Sequence, residues 1–277
     1  MPNAQDLLAT GNHKLLVVGQ TGSGKTALIR SLPGRKFVYV FDPGALATLR
    51  GADIEYECFF PDILELDATL KGFNKNARPD DKPPSEREPQ AYMLWVEHLN
   101  KAAEEGLFKD FDWVCFDSLT LLSKSVMDRQ LWINKRYGGI EDLGDYRVVG
   151  SKVSEVFRSI TAIGSNIYCT GHISSFQDEK TKKLEVSLTL PGSAKQMLPL
   201  LFTNIWLAKT RDGDKGPEWI LRTRPEERGL QTIRTSIPGL ETEEDVTIKD
   251  FSRAEQYGIG AILKQASTQQ PVVATRK

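Results

Sequence analysis

The chain is poor in the residues that announce metal, redox or secretory chemistry. Its 277 residues include three cysteines and three histidines. Cys58, Cys115 and Cys169 form no C-x-x-C pair, and two of them fall in apolar runs. That pattern argues against a disulfide framework or a cysteine zinc site and points to a reducing compartment. Charge of one sign is also missing: 36 Lys and Arg against 37 Asp and Glu leave a net charge of −1. No global basic field therefore advertises nucleic acid, and any contact with it has to be a local patch. No apolar run approaches the roughly 20 residues of a membrane span, and Met1–Asn12 lacks an apolar secretory core. The expectation is a cytoplasmic protein without a membrane partner. What remains, 40% hydrophobic and 26% charged residues, is ordinary for a globular chain. The length suits one large α/β domain, alone or with small additions.

Against this plain background one stretch stands out. Gly19-Gln20-Thr21-Gly22-Ser23-Gly24-Lys25-Thr26 follows the apolar run Leu15–Val18 and precedes Ala27-Leu28-Ile29. This is the complete G-x-x-x-x-G-K-[ST] phosphate loop in its strand–turn–helix context. The glycines let backbone N–H groups turn inward around a phosphate. Lys25 would reach the β- and γ-phosphates of a bound ATP, and the Thr26 hydroxyl would ligate Mg²⁺.

Apolar runs then alternate with helical spacing, which implies a mostly parallel sheet covered on both faces. Strands are predicted at Leu15–Val18, Lys36–Phe41, Trp113–Phe116 and Asn166–Thr170, with an edge-like strand at Ile54–Phe60. Helices are predicted at Ile63–Phe73, from Tyr92 to Gly106, from Leu119 until Tyr137-Gly138-Gly139 breaks it, and through Val149–Ile163. Ile140–Asp145 and Ser174–Lys183 read as loops. Ala194–Leu200 reads as a short helix, followed by a hairpin of Thr203–Lys209 and Trp219–Thr223 with its turn at Arg211–Pro217. The domain layout is an N-terminal segment 1–12, a core 13–225 with a mobile proline-rich loop at 74–90, an extension 226–264 and a disordered tail 265–277.

Three strand ends supply further chemistry. Asp117, at the tip of an apolar strand, suits a second Mg²⁺ anchor; it also suits a helix N-cap. Asp42 could orient an attacking water or simply shape a turn before proline. His172 could sense the γ-phosphate or cap its strand.

The order of phosphate loop, Tyr39-Val40-Phe41-Asp42, Val114-Cys115-Phe116-Asp117-Ser118, Tyr168-Cys169-Thr170-Gly171-His172 and terminal hairpin resembles the RecA-like ATPase core. Gly-His at the sensor strand is similar to the RadA and KaiC branch. The size and proline-rich insertion resemble phage-encoded RecA-like ATPases, including single-strand annealing recombination proteins. The resemblance implies a three-layer α/β fold, ATP and Mg²⁺ as cofactors, and hydrolysis coupled to single-stranded DNA in recombination or replication. It implies a homo-oligomer, ring or filament, and a phage or host single-strand binding or replication protein as a further partner, in the host cytoplasm. It assigns Lys180, Lys182, Lys183 and Phe176 to a DNA loop, with Lys135 and Arg136 entering another. Arg222 and Arg224 match a basic pair that reaches the neighbouring subunit's phosphates. One position departs from the family: its catalytic glutamate corresponds to Gly44 here. Asp42, Glu65 or Asp67 would have to substitute, or turnover is weak. The alternative function is a nucleotide-switched assembly or helicase-loading ATPase that grips a protein instead of DNA.

Overall fold

The computed structural model describes residues 12–61, 88–177, 184–214, 216–226 and 229–269. Nine strands are described: β1 Lys14–Gly19, β2 Lys36–Val40, β3 Glu55–Cys58, β4 Trp113–Asp117, β5 Asn166–Gln177, β6 Leu184–Leu188, β7 Asn204–Gly213, β8 Gly216–Arg222 and β9 Glu243–Asp245. Seven α-helices accompany them: α1 Lys25–Ile29, α2 Ala45–Leu49, α3 Ala91–Glu104, α4 Leu119–Ile133, α5 Leu143–Ile160, α6 Ala194–Met197 and α7 Gly258–Gln269. The strand order is β3-β2-β4-β5-β1-β7-β8-β9, with β6 attached to β5. β3 through β7 along this path run parallel, and the β7–β8–β9 end is antiparallel.

The strands read as continuous apolar runs because both faces of the sheet are covered. Leu16, Val18, Tyr39, Val114, Phe116, Ile167 and Cys169 point to the face that packs against α3, α4 and α5, represented by Trp95, Leu122 and Val153. Their alternates Leu15, Val17, Val38, Val40, Cys115 and Tyr168 point to the other face. There they meet Leu28 and Ile29 of α1, Ala45 and Leu49 of α2, and Ile259 and Ile262 of α7. The period of two along each strand thus sorts side chains between two layers of helices. This is the expected three-layer core with a mostly parallel sheet and a C-terminal hairpin.

Register brings the strand ends together. Gly19 lies beside His172 on β5 and Ala208 on β7, while Val40 lies beside Asp117. The carboxyl ends of β1, β2, β4 and β5 therefore share one rim. The chain leaves β1 in one direction for β2 and returns on the other side with β7, so the crevice forms at this switch point.

Several elements differ from the sequence expectation, among them α2 and β9, which were not expected. Ser174–Lys183 is not wholly loop: β5 continues to Gln177 and pairs with β6 from Ile173↔Leu188 to Gln177↔Leu184. The β7–β8 turn is tighter than Arg211–Pro217, since pairing persists to Gly213↔Gly216. α5 begins at Leu143, inside the expected loop, because Asp142 and Asp145 form a reciprocal capping box. α7 is helical through Gln269, where the tail was expected to begin, because its apolar side seals the α1 layer. The expected helix Ile63–Phe73 and nearly all of the loop at 74–90 lie outside the described residues, as do Glu65 and Asp67.

Candidate functional site

The phosphate loop is shaped by what surrounds it. A side-chain carbon at Gly19 would lie 2.4 Å from the Ala208 carbonyl oxygen, so the close approach of β7 demands glycine. Gly22 and Gly24 adopt φ of 82° and 84°, the left-handed region that glycine enters freely. The turn is closed by Ser23, whose hydroxyl donates to the Gln20 carbonyl at 2.8 Å. Lys25, only 6% exposed, donates from Nζ to the carbonyls of Gln20 at 2.8 Å and Gly19 at 3.0 Å. Burial pulls its pKa down; the nearby Asp117 and Asp42 carboxylates oppose that shift. From beneath, the buried Tyr168 hydroxyl donates to the Lys25 carbonyl at 2.7 Å and ties α1 to β5.

Asp117 is 2% exposed. One carboxylate oxygen accepts from the Thr26 hydroxyl at 2.7 Å and the other from the Thr170 hydroxyl. The N-cap alternative falls to its neighbour: Ser118 accepts from the Leu121 N–H and caps α4. Burial raises the Asp117 pKa. The Thr170 and Thr26 hydrogen bonds resist, Asp42 adds to the rise and Lys25 counters it. Among the described residues no three His, Cys, Asp or Glu side chains cluster as a metal site. Thr26 and Asp117 nonetheless present two hard oxygen donors side by side. That set fits Mg²⁺, which takes few protein ligands when substrate phosphates supply the rest.

Asp42, Asp117, His172, Thr21, Gly22, Gly24, Lys25 and Thr26 line one cleft of about 500 Å³. Asp42 also makes the turn expected of it, its Oδ1 accepting from the Gly44 N–H at 2.9 Å. His172 has its backbone N–H on the Thr120 hydroxyl at 3.0 Å. Its ring pKa is lowered by burial first and by the Lys25 charge second, against the pull of Asp42. Gln20 and Ser23 act as loop scaffold. Arg222 and Arg224 stand apart from the cleft lining. Arg222 pairs with Glu226 at 2.8 Å and Glu243 at 3.1 Å, whereas Arg224 is exposed. Arg136 pairs with Asp145 at 2.6 Å and Asp142 at 3.0 Å. Lys180, Lys182, Lys183 and the Phe176 side chain lie outside the described residues.

Sequence reasoning missed several residues of the site, the lining residues Ala45 and Thr48 among them. Tyr168 and Thr170 share a face of β5 with His172, and the period of two alone could have aligned them. Trp219, Val246, Ile248 and Phe251 form the far wall of the cleft. They carry no motif, and only the long-range fold brings them to the loop.

A phosphate loop at the switch point of a parallel sheet, facing a hydroxyl and carboxylate paired for a cation, defines a P-loop nucleotide-binding core. The chain belongs to the AAA domain family, whose match spans residues 11–233. No curated protein matches it in sequence. Among solved structures it is similar to the KaiC-like protein PH0186 from the hyperthermophilic archaeon Pyrococcus horikoshii OT3. There the TM-score is 0.42 and the identity 11%, over 85% of this chain and 85% of the other. It is also similar to the flagellar accessory protein FlaH from Methanocaldococcus jannaschii, with a TM-score of 0.41 and 12% identity over 86% and 87% of the two chains. Alignments this loose carry no functional argument.

Proposed function

We propose that this chain binds and hydrolyses ATP in the β1–β5 cleft and uses the cycle to grip and release single-stranded DNA, in recombination or replication of the kind phages carry out. The observation that carries the reading is β5. One strand offers Tyr168 to the loop helix, Thr170 to Asp117 and His172 to the cleft, then continues to Gln177 toward the segment whose sequence holds Lys180, Lys182 and Lys183.

Lys25 would leave the loop carbonyls for the β- and γ-phosphates, and Thr26 and Asp117 would hold Mg²⁺. Bound Mg²⁺ would neutralise charge that develops on the phosphoryl oxygens. Asp42 would orient the water whose oxygen attacks the γ-phosphorus as the bond to ADP breaks. With Gly44 offering no carboxylate, turnover by Asp42 alone would be slow. His172, its ring kept neutral by burial and Lys25, would donate one N–H to the γ-phosphate and pass its presence along β5. Assembly is head to tail, with Arg224 offered to the neighbouring subunit's phosphates; Arg222 is held by its two glutamates.

A second reading has its own support. Ile140 and Leu143 are 72% and 83% exposed at the start of α5, where the resemblance puts a DNA loop. Large apolar side chains suit a protein partner better than a phosphate backbone, and a nucleotide-switched assembly ATPase would use them.

ATPase rate with and without single-stranded DNA, alongside DNA binding with and without ATP, tests the proposal. The expectation is faster turnover with DNA and tighter DNA binding with ATP. Three lysine contacts give a slope of log affinity against log salt of about −2 per subunit, at roughly −0.7 per contact. DNA affinity that ignores ATP and salt favours the protein-partner reading.

A further inference from the structure

Part of the far wall of the cleft comes from chain outside the matched family region. Val246, Ile248 and Phe251 follow residue 233, where that match ends. They are tied back to the cleft at several points. The Val246 N–H donates to the Trp219 carbonyl at 2.8 Å, and the Trp219 N–H donates to the Thr247 hydroxyl at 3.0 Å. Phe251 lies over the Arg30 guanidinium at 4.8 Å, and Arg30 donates to the Thr48 carbonyl at 3.1 Å. The N–H of Ile259 donates to the Ser31 hydroxyl at 3.0 Å, at the end of the α1 segment. The indole of Trp219 rests against the phosphate loop, since a side-chain carbon at Gly24 would sit 2.6 Å from its Cδ1.

The cleft therefore has two chemically distinct ends. One holds Lys25, Thr26, Asp42, Asp117 and His172. The other is Ala45, Thr48, Trp219, Val246, Ile248 and Phe251, described lining residues that are apolar, aromatic or uncharged. Phe251 is half exposed, 50% by area, with one face of its ring over the Arg30 guanidinium.

We propose that the C-terminal segment around 246–251, with Trp219, is the nucleobase wall of this site. It holds a purine by stacking and apolar contact and reads little of the base edge. Resting on the nucleotide-site reading above, this deepens that reading: the substrate class is purine nucleoside triphosphates with weak base discrimination. Discrimination between purines needs donors and acceptors aimed at the base edge, because it is an unpaired buried polar group that rejects the wrong base. Of the side chains at this end, only the Thr48 hydroxyl and the Trp219 indole N–H carry a hydrogen-bonding group. Stacking surfaces accept either purine, since every base has a π-face.

The test is calorimetric titration of the full chain with MgADP, MgGDP and Mg-tripolyphosphate, the last having phosphates but no base. Wild type should bind MgADP and MgGDP within about fivefold of each other. Phe251→Ala with Ile248→Ala should weaken both nucleotides by about tenfold or more, the scale expected when an aromatic stacking surface is lost. Tripolyphosphate binding should stay within about twofold in that variant. Phe251→Tyr, which keeps the ring, should restore nucleotide affinity in the presence of wild-type Ile248. A hundredfold preference for one purine, or undiminished nucleotide affinity in the double variant, overturns the wall while leaving the phosphate site standing. Equal loss of tripolyphosphate and nucleotide in that variant also overturns it, since the effect is then not on the base. A wild type that binds neither tripolyphosphate nor nucleotide overturns the nucleotide-site reading, and the wall with it.

Discussion

Thr170→Val removes one hydroxyl and almost no volume. Thr170 is fully buried, and its hydroxyl donates to the Asp117 carboxylate, itself 2% exposed. A hydrogen bond to a charged group contributes about 1.5–3 kcal/mol. If that stabilisation belongs to the ionised carboxylate, its loss weakens Mg²⁺ binding by about 10–100-fold at roughly 1.4 kcal/mol per decade. Removing the outer partner of a metal-binding carboxylate has this same range, about 10–100-fold. The pH dependence follows in sign. Thr170 opposes the burial that raises the Asp117 pKa. Without the hydroxyl the pKa climbs further, so the acid limb of Mg²⁺-dependent hydrolysis moves to higher pH. Steady-state ATPase measured against Mg²⁺ at a series of pH values gives both quantities. Thr170→Ser, which keeps the donor, should restore both. A Thr170→Val protein with wild-type Mg²⁺ dependence and an unmoved acid limb would refute the reasoning, as would a defect that serine does not rescue.

Other outcomes follow from the same geometry. Asp117→Asn should abolish Mg²⁺-dependent hydrolysis yet raise the melting temperature at pH 7 by a few degrees, about 1 kcal/mol for a chain of this size. The raised Asp117 pKa means the native state binds that proton more tightly than the unfolded chain. Wild-type stability therefore falls as pH rises through the window above 3.8, and the melting difference should shrink in acid; a variant less stable than wild type at pH 7 contradicts this. Gly24→Ala forces a side chain into φ 84° and against Trp219, at a cost of about 1–2 kcal/mol for the backbone alone. Nucleotide affinity and melting temperature should both drop, and unchanged titrations would count against the close contact. Under the proposed head-to-tail assembly, Arg224→Ala should bind MgATP within about twofold of wild type but turn over about a thousandfold more slowly, the lower end for a transition-state arginine. Mixing it with Lys25→Ala subunits should recover activity; no recovery in confirmed co-assemblies argues against action across an interface.

The parts of the site legible in the sequence are those with local grammar. The phosphate loop announces itself because its spacing is contiguous and its flanks are a strand and a helix. Asp117 was readable because it ends an apolar run, and its partner Thr26 because it closes the motif. Thr170 and Tyr168 were hidden by a strand read for hydrophobicity rather than for its alternation, although that alternation places them with His172. The β5–β6 hairpin was read as loop because Ser174 and Ser175 interrupt the apolar pattern. Pairing with β6 and the packing of Ile173, Val186 and Leu188 against the core make it a strand. The capping box at Asp142 was a local signal that a charged, glycine-containing stretch obscured. Trp219, Val246, Ile248 and Phe251 could not be assigned to the site at all. Their proximity to Gly24 depends on β8 returning beside β7 and on α7 docking against α1.

The central claim is that the β1–β5 rim is an ATP site whose Lys25 engages the phosphates. Calorimetric titration of MgATP into wild type and Lys25→Ala, at matched circular dichroism spectra, tests it most directly. Among the described residues Lys25 donates to loop carbonyls and the Ser23 hydroxyl alone, so its removal should leave the fold intact. Wild type should bind MgATP stoichiometrically, and Lys25→Ala should lose about tenfold or more in affinity together with all turnover. Equal MgATP affinity and equal hydrolysis in the two proteins would contradict the account.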